Sequence, residues 1–327
     1  MRILVTGSAG HLGEGLMRTL REQNRDAIGI DIVASDYTDR VGSIVDPAFV
    51  EDCMQGVDVV LHAATLHKPH VATHARQDFV DTNITGTLNL LETAANQGMR
   101  AFVFTSTTST FGDALVPPEG APAAWITEDV TPVAKNIYGA TKTAAEDLCR
   151  LFHRNRKLPC LILRTSRFFP EPDDSRALRD AYADGNIKAN EFLYRRVDVQ
   201  DVVDAHLLAI ERAAAIGFGR YIISATTPFG RDDLAQLRTD APSVLARYVP
   251  EYAEEYTHRG WRMFPGIDRV YVNALAREEL GWRPRYDFAH VLARLRTGED
   301  PRSPLAQAIG SKGYHSETFE DGVYPVE

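Results

Sequence analysis

A glycine-rich turn near residue 10 constrains the fold of this chain more than any other feature. The stretch VTGSAGHLGEG places Gly7, Gly10 and Gly13 three residues apart, between an apolar β-like run and a helical pattern. Glycine in such a turn lets backbone N–H groups approach a pyrophosphate, and the N-terminus of the following helix adds a favourable dipole. The same glycines could form a tight turn without a ligand, but the strand–turn–helix context favours a dinucleotide-binding loop.

The first half of the chain alternates short β-rich runs with helical patterns. The predicted strands cover residues 2–6, 27–31, 40–44, 57–63, 100–105 and 158–164. The predicted helices cover roughly residues 11–23, 47–55, 72–97 and 136–156. Strands that alternate with helices indicate βαβ units and a parallel sheet covered on both faces, which is an α/β fold.

The pattern changes after residue 165. The loop FFPEPDD leads into irregular segments, a strand–helix unit RRVDVQDVVDAHLLAIERA, a strand RYIISA, and a helix over 274–280 that Asn273 is expected to cap. The final stretch, 311–327, lacks periodicity and is expected to be an extended tail. We predict a Rossmann-like doubly wound NAD-binding domain over 1–165, joined again by 195–225, and a smaller mixed C-terminal substrate-binding part over 166–194 and 226–327.

An acidic residue at the end of the second predicted strand indicates which dinucleotide the glycine loop would take. Asp31 lies 18 residues past Gly13. A carboxylate there accepts hydrogen bonds from the adenosine ribose hydroxyls and repels a 2′-phosphate. An aspartate at a strand end could also cap a turn, but the glycine loop before it favours NAD over NADP.

A tyrosine and a lysine lie four residues apart in the segment NIYGATKTAAED. Tyr138 and Lys142 therefore lie on the same face of the helix predicted over 136–156. An ammonium group beside a phenol favours the phenolate, which lowers the pKa of the phenol and makes it a better general base. Such a pair is common on solvated helices. Its occurrence together with the nucleotide loop is what indicates a catalytic role.

These segments together resemble the extended short-chain dehydrogenase/reductase family, which contains nucleotide-sugar epimerases, dehydratases and related sugar dehydrogenases. The resemblance rests on TGSAGHLG, VVLHAAT, NITGTLNLLETA, FVFTSTTSTFG, YGATK and RRVDVQDVVDAH, in the family's order over about residues 3–210, and on AREELGWRP at 276–284. It implies an NAD-dependent, sugar-active enzyme that transfers hydride at a sugar hydroxyl carbon. It also implies a homodimer formed through two helices of each subunit, here 83–97 and 136–153.

The resemblance also implies roles for individual residues. Tyr138 would exchange a proton with the substrate hydroxyl, Lys142 would hold the nicotinamide ribose and lower the pKa of Tyr138, and Thr107 would bond the substrate oxygen. The implied NAD contacts, besides Tyr138 and Lys142, are Gly7, Gly10, His11, Leu12, Gly13, Asp31, Ser43, Ile44, Ala63, Ala64, Asn83, Thr105 and Ser106. At Ser43 the family often carries an adenine-binding aspartate, so adenine recognition is expected to be weaker here.

The residues that follow Thr107 bear on the type of reaction. Family dehydratases and decarboxylases place a carboxylate directly after the catalytic Thr or Ser, because those reactions need an additional acid or base. Here Thr108, Ser109 and Thr110 follow, so a dehydratase is disfavoured. An epimerase of a sugar or nucleotide sugar is the favoured prediction, and an NAD-dependent dehydrogenase of a sugar or sugar acid is the alternative.

The predicted substrate contacts are His67, Thr107, Thr108, Arg167 and Arg176. The segment FFPEPDDSR resembles uronate dehydrogenases of the same superfamily, in which an arginine at the position of Arg176 binds the sugar carboxylate. Arginine suits this role because its planar guanidinium can donate two hydrogen bonds to a carboxylate or phosphate. Arg167 and Arg176 could equally pair with acidic residues of their own loop, and both interpretations stay open. Residues 258–262 and Arg269 could contact the phosphates of a nucleotide-linked substrate.

Two other classes of function compete with this prediction. The segment LHAATLHKPHVATH contains the histidines His62, His67, His70 and His74. Their spacing resembles metal ligation and would suit a metal-dependent hydrolase, but no HExxH or cysteine pattern accompanies them, and no metal is predicted. A non-catalytic NAD-binding sensor could share the fold, but it would not need to keep the predicted catalytic set.

Composition disfavours several partners. The net charge is −9 and no basic run occurs, which disfavours nucleic-acid binding. No apolar run approaches the ~20 residues that a membrane helix needs, and no signal-peptide pattern precedes the first strand. The cysteines Cys53, Cys149 and Cys160 form no CxxC pair. We therefore expect a cytoplasmic enzyme whose partner is a small sugar substrate rather than a nucleic acid or a membrane.

Overall fold

The computed structural model of this chain, which describes residues 1–313 and 319, has a parallel sheet of seven strands as its main body. The strands of the molecule are β1 (Ile3–Thr6), β2 (Ala27–Asp31), β3 (Arg40–Val41), β4 (Val59–His62), β5 (Ala101–Thr107), β6 (Ala124–Ile126), β7 (Cys160–Thr165), β8 (Phe218–Ile223) and β9 (Arg269–Tyr271). The order in the sheet is β3–β2–β1–β4–β5–β7–β8, and β6 pairs with β9 separately. The α/β prediction with a Rossmann-like parallel sheet is confirmed.

Helices connect the strands and form the smaller C-terminal part. They are α1 (His11–Glu22), α2 (Pro47–Cys53), α3 (Arg76–Val80), α4 (Gly86–Asn96), α5 (Ile137–Arg156), α6 (Arg176–Ala181), α7 (Asp184–Glu191), α8 (Val199–Ile216), α9 (Leu234–Leu237), α10 (Ala241–Tyr248), α11 (Tyr252–Arg259), α12 (Phe288–Arg296) and α13 (Pro304–Ile309). A π-helical turn, Asp81–Thr85, joins α3 to α4. No helix in the described part of the chain is long and apolar enough to cross a membrane.

The sheet is buried on both faces, which explains its nearly continuous apolar strands. Successive side chains of a strand point to opposite faces, so neighbouring positions enter different cores. Val103 belongs to the core that includes residues of α1 and α8, whereas Phe102 belongs to the core that includes residues of α4 and α5. Because every strand pair in this sheet is parallel, the carboxyl ends of all seven strands lie along one edge.

The strand order reverses at β1, which has β2 on one side and β4 on the other. In open parallel sheets, ligands bind outside the carboxyl ends of the strands at such a reversal. The register pairs Thr6 at the end of β1 with Ile30 of β2 and with His62 of β4. The residues that follow these three strands therefore form a common crevice.

The smaller part of the molecule has its own core above this edge. Residues of α7, α10, α11 and α12 pack together with β9, around side chains such as Leu193, Tyr256 and Phe288. The loop that follows β7 lies between this core and the sheet edge, and α8 and β8 then return the chain to the main sheet. The C-terminal part thus forms a second wall for the crevice.

Several predicted boundaries were wrong for local reasons. The strand predicted over 40–44 pairs only at Arg40–Val41, and β5 extends to Thr107 because β7 continues alongside it as far as Thr165. Asn273 does not cap the following helix: its side-chain amide donates to the Ser224 carbonyl instead. Of the tail predicted over 311–327, all except 311–313 and 319 lies outside the described residues.

Candidate active site

A cleft of about 860 Å³ lies at the carboxyl edge of the sheet, between the strand ends and the C-terminal part. It is lined by most of the residues that the sequence predicted for cofactor and substrate. These are Gly7, Gly10, His11, Leu12, Gly13, Asp31, Ser43, Ile44, Ala63, Ala64, His67, Thr105, Ser106, Thr107, Thr108, Tyr138 and Arg167. The sheet edge therefore brings together side chains from segments more than 150 residues apart.

The glycine loop has the shape that a dinucleotide pyrophosphate requires. Gly7 has a φ of +73°, and a Cβ atom there would lie 2.7 Å from the Ala64 nitrogen. A Cβ atom on Gly13 would lie 1.9 Å from the Gly7 carbonyl oxygen, so only glycine permits this turn. Helix α1 begins at His11 directly after the turn, and its first N–H groups have no partner within the helix. This cradle fits an anionic pyrophosphate.

Asp31 ends β2 beside this cradle. Its carboxylate accepts hydrogen bonds from the Ala9 nitrogen at 3.0 Å and from the Val33 nitrogen at 2.9 Å, which fix its orientation at the wall of the cleft. A carboxylate has about four acceptor sites, so two remain for ribose hydroxyls. The donor set of the glycine loop and the acceptor set of Asp31 together fit NAD.

A buried hydroxyl–imidazole network supports the floor of the cleft. The Thr6 hydroxyl lies 2.7 Å from His62 Nδ1, and the Thr87 hydroxyl lies 2.9 Å from His62 Nε2. The backbone nitrogens of Ala63 and Ala64 donate to the Thr6 oxygen at 3.2 and 3.1 Å. These bonds fix the backbone that follows β4 next to Gly7.

Asn83 acts behind the cleft wall rather than as part of it. Its amide oxygen accepts from the Thr65 hydroxyl and the Leu66 nitrogen, both at 2.9 Å. Its amide nitrogen donates to the Leu66 carbonyl at 2.9 Å and to the Thr141 hydroxyl at 3.0 Å. Asn83 therefore ties the loop after β4 to helix α5, and all four of its side-chain bonds are satisfied within the protein.

The predicted catalytic phenol and hydroxyl meet inside the cleft. Asn136 caps α5 by accepting from the Gly139 nitrogen at 3.1 Å, which fixes the helical turn that carries Tyr138. The Tyr138 hydroxyl faces Thr107 at the end of β5. Burial raises the pKa of Tyr138 to about 12, although Thr107 works in the opposite direction. The phenol is therefore protonated at neutral pH.

Lys142 lies one turn further along α5, as the four-residue spacing requires. Its ammonium nitrogen is 3.9 Å from the centroid of the Phe104 ring. Burial lowers the pKa of Lys142 to about 7, against the attraction of Glu146. Burial is the largest influence on the pKa of both groups, and the expectation that Lys142 lowers the pKa of Tyr138 stays a prediction.

The other hydroxyls of the strand end have structural partners. The Thr105 hydroxyl lies 2.8 Å from His206 Nε2, and the Ser106 hydroxyl donates to Glu146 at 2.6 Å. The strand alternation explains this, since Thr105 faces α8 and Ser106 faces α5. Both residues line the cleft, but their side-chain hydroxyls are already engaged by the protein.

The loop after β7 contains a dense network of charges. Arg167 forms ion pairs with Asp173, with Asp174 at 2.9 Å and with Glu191 at 3.3 Å, and Lys68 pairs with Asp174. Despite burial, the surrounding arginines hold the pKa of Glu191 at about 2, so this carboxylate is ionised. Arg167 thus lines the cleft and is also paired with acidic residues.

The structure does not place Arg176 at the cleft, and its contact with the substrate stays a prediction. Arg176 begins the short helix α6, its side chain is 68% exposed, and its guanidinium lies 3.7 Å from Asp180 one turn later. It does not line the cleft. The loop resembles the uronate dehydrogenases in sequence, but α6 directs this position toward solvent.

The four histidines of the predicted metal alternative do not act together. His62 is engaged by two threonines below the cleft, whereas the His67 ring lies 4.8 Å from the His70 ring and 6.5 Å from the Tyr138 ring. Burial lowers the pKa of His67 well below its usual value, so the ring that faces the cleft is neutral. Over residues 1–313 and 319, no three His, Cys, Asp or Glu side chains are grouped to hold a metal ion.

Sequence reasoning missed several residues that line the cleft. Those with charged side chains are Lys68, Lys135, Arg195 and Lys312. Lys68 follows the predicted substrate contact His67 directly, and Arg195 begins the family-like segment RRVDVQDVV. Their positions in the sequence could therefore have indicated that both lie near the site. Lys312 lies within the aperiodic stretch 311–327, and no local pattern distinguishes it.

The comparisons with known proteins agree with this geometry. Residues 3–223 match the family model described as the NAD dependent epimerase/dehydratase family. The chain is similar to a dTDP-glucose 4,6-dehydratase of Streptomyces antibioticus, with 29% identity over 90% of this chain and 91% of the relative. It is also similar to a UDP-glucose 4-epimerase of Azospirillum brasilense, with 25% identity over 95% of each chain.

The fold is shared with solved structures. One is a short-chain dehydrogenase/reductase superfamily protein of Agrobacterium tumefaciens with bound NAD, which superposes with a TM-score of 0.65 at 24% identity and covers 94% of this chain and 99% of its own. The family model spans the glycine loop, the strand end at Thr107 and the Tyr138–Lys142 pair. This chain belongs to the NAD-dependent epimerase/dehydratase family of enzymes, and NAD is its cofactor.

Proposed function

We propose that this protein is an epimerase of a sugar or nucleotide sugar, and that it inverts one hydroxyl-bearing carbon. The observation that carries the proposal is the pairing of Thr107 and Tyr138 in a cleft with a single lining carboxylate among the described residues. That carboxylate is Asp31, at the end expected to hold the adenosine ribose. Elimination and decarboxylation need a second acid or base beside the reacting carbon, and within residues 1–313 and 319 no Asp or Glu lines the catalytic end of the cleft.

In this mechanism the chain itself moves one proton and orients one oxygen. NAD, when bound, supplies the hydride acceptor and donor. Tyr138, once it is ionised to the phenolate, takes the proton of the substrate hydroxyl as that carbon is oxidised and returns it when the carbon is reduced on the opposite face. Thr107 holds the same oxygen in line with the phenol, and Lys142 would hold the nicotinamide ribose beside it.

The charges of the cleft support a substrate that carries an anionic group. Among the described residues, the buried Nε atoms of Arg195 and Arg269 have no hydrogen-bond partner, and both residues line the cleft. Arginine recognises phosphate and carboxylate oxygens through planar pairs of N–H groups. A diphosphate linkage, as in the UDP-glucose named for the relative of Azospirillum brasilense, would satisfy these donors.

Three further features belong to the same proposal. We propose that 1–165 and 195–225 bind NAD, and that 166–194 and 226–327 bind the sugar. We also propose a homodimer formed through the helices near 83–97 and 136–153, where Leu151 of α5 is 39% exposed. A cytoplasmic location is consistent with the three cysteines, which are buried free thiols. Light scattering after size exclusion would test the dimer.

The test of the reaction separates its two possible outcomes. Purified protein is incubated with NAD and a panel of free sugars, sugar acids and nucleotide sugars, while the absorbance of NADH and the composition of the products are followed. Conversion to the epimer without net NADH supports the proposal, whereas accumulation of NADH would instead identify a dehydrogenase.

A variant tests the assigned mechanism independently of the sugar. Tyr138→Phe keeps the ring but removes the hydroxyl that exchanges the proton, so turnover should fall by at least about 1,000-fold. The dissociation constant for NAD should stay within about twofold. Retained turnover in this variant would show that Tyr138 is not the proton-transfer group.

A further inference from the structure

The C-terminal segment Ser311–Gly313 lies beside the start of helix α1, which follows the glycine loop. Helix α13 packs against α1, where a Cβ atom on Gly15 would meet Ile309 at 3.3 Å. The chain then turns at Gly310, which has a φ of +63°. After this turn, Lys312 and Gly313 line the same cleft as the glycine loop.

A buried carboxylate holds this segment in place. Glu171, from the loop after β7, accepts hydrogen bonds from the Ser311 hydroxyl at 2.9 Å and from the backbone nitrogens of Lys312 and Gly313 at 3.0 and 3.2 Å. The same carboxylate oxygen lies 3.0 Å from His11 Nε2 at the start of α1. Although burial opposes ionisation, these partners lower the pKa of Glu171 to about 2, so it is an anion at every working pH.

Lys312 brings a positive charge to this point. Its ammonium lies 2.5 Å from a carboxylate oxygen of Glu14, in the first turn of α1. The Lys312 side chain is 24% exposed, whereas that of Glu14 is 8% exposed. Glu14 also forms an ion pair with Arg18 at 2.7 Å, so Lys312 is not its only counter-charge.

We propose that Lys312 is a cofactor-binding residue that contacts the pyrophosphate of NAD, and that Glu171 is the positioning residue that holds it there. The pyrophosphate cradle formed by the glycine loop contains backbone N–H groups but no cationic side chain of its own. Lys312 supplies that cation from the far end of the chain, and its pairing with Glu14 keeps it beside the first turn of α1. The inference depends on NAD as cofactor and not on which sugar is converted.

Binding of NAD to the full-length protein, measured by isothermal titration calorimetry, tests this role. Lys312→Met keeps the length of the side chain and removes its charge, and it should weaken NAD binding by about tenfold, the usual effect of one charge-assisted hydrogen bond. ADP-ribose should lose affinity by the same factor, because it carries the same pyrophosphate. Lys157→Met, at the exposed C-terminal end of α5, is the matched control and should change neither constant.

A double-mutant cycle tests the part played by Glu171. Glu171→Gln should weaken NAD binding severalfold, and the double variant should bind no more weakly than Lys312→Met alone, because Glu171 acts through Lys312. Additive losses would overturn the positioning role. An unchanged constant in Lys312→Met, an equal loss in Lys157→Met, or a loss confined to NAD and absent with ADP-ribose would overturn the pyrophosphate contact.

Discussion

The buried ion pair beneath the catalytic strand offers a sharp test of how the site is supported. Glu146 lies one turn after Lys142 on α5 and is paired with Arg164 of β7, with contacts of 2.6 and 2.9 Å. The two side chains are 1% and 0% exposed, and Glu146 also accepts from Ser106 at 2.6 Å. The pair therefore joins α5, β5 and β7 directly below the reacting groups.

Replacing Glu146 with glutamine leaves the Arg164 guanidinium buried without its counter-charge. Loss of one partner of a buried pair costs about 3–5 kcal/mol, because the remaining charge stays desolvated. An unfolding entropy of about 2.1 cal/mol/K per residue gives about 0.7 kcal/mol/K for this chain. Glu146→Gln should therefore lower the melting temperature by roughly 4–7 °C.

Differential scanning calorimetry of three variants separates this cause from a general loss of packing. Glu146→Gln with Arg164→Met removes both charges and should recover at least half of the loss, since no buried charge is left unpaired. Asp147→Asn breaks the neighbouring pair with Arg150, where both side chains are 57% exposed, and should shift the melting temperature by less than about 1 °C. A double variant no more stable than Glu146→Gln alone would refute the explanation.

Two further predictions follow from the described contacts. Burial lowers the pKa of His206 to about 4 in the folded protein. Above pH 6.5 the imidazole is neutral in both the folded and the unfolded chain, whereas between pH 6.5 and 4 only the unfolded chain binds the proton, so the folded state loses stability as the pH falls through this range. Between pH 7 and 5 the wild type should lose about 2 kcal/mol of unfolding free energy through this group. Urea titrations at the two pH values should show a loss that is about 2 kcal/mol smaller in His206→Gln, which has no imidazole to protonate. Gly13→Ala should weaken NAD binding by about 100-fold in calorimetry, because its Cβ would displace the Gly7 carbonyl by an ångström or more. Gly15→Ala, where the nearest atoms belong to flexible side chains, should bind NAD normally, and equal losses in both variants would contradict the loop geometry.

Backbone features were predictable from the sequence because their causes are local. The glycine spacing and the apolar runs determined the order of strands and helices. The position of Asp31 at the end of β2 followed from the β-rich run alone. The four-residue spacing of Tyr138 and Lys142 likewise needed only a helix, and α5 provides it.

Side-chain partners were less predictable because they come from distant segments. The Ser106 hydroxyl meets Glu146, 40 residues later, and Glu171 meets Lys312, 141 residues later. No periodicity or motif in the sequence indicates contacts between residues so far apart. Arg176 was assigned from a loop pattern, but the direction of its side chain was decided by the start of α6, which the loop sequence alone did not indicate.

The protonation state of Tyr138 bears on which reaction the site favours. With a pKa of about 12, formation of the phenolate at pH 7 costs about 7 kcal/mol in this structure. In an epimerisation the phenolate, once formed, takes the proton of the substrate hydroxyl and returns it to the same oxygen, so the cost of forming it belongs to the barrier. A net dehydrogenation needs the same phenolate, and the proton taken from the substrate must finally reach solvent past a side chain that is only 8% exposed. Burial of Tyr138 therefore raises the barrier of both reactions and adds a proton-release step only to the dehydrogenation.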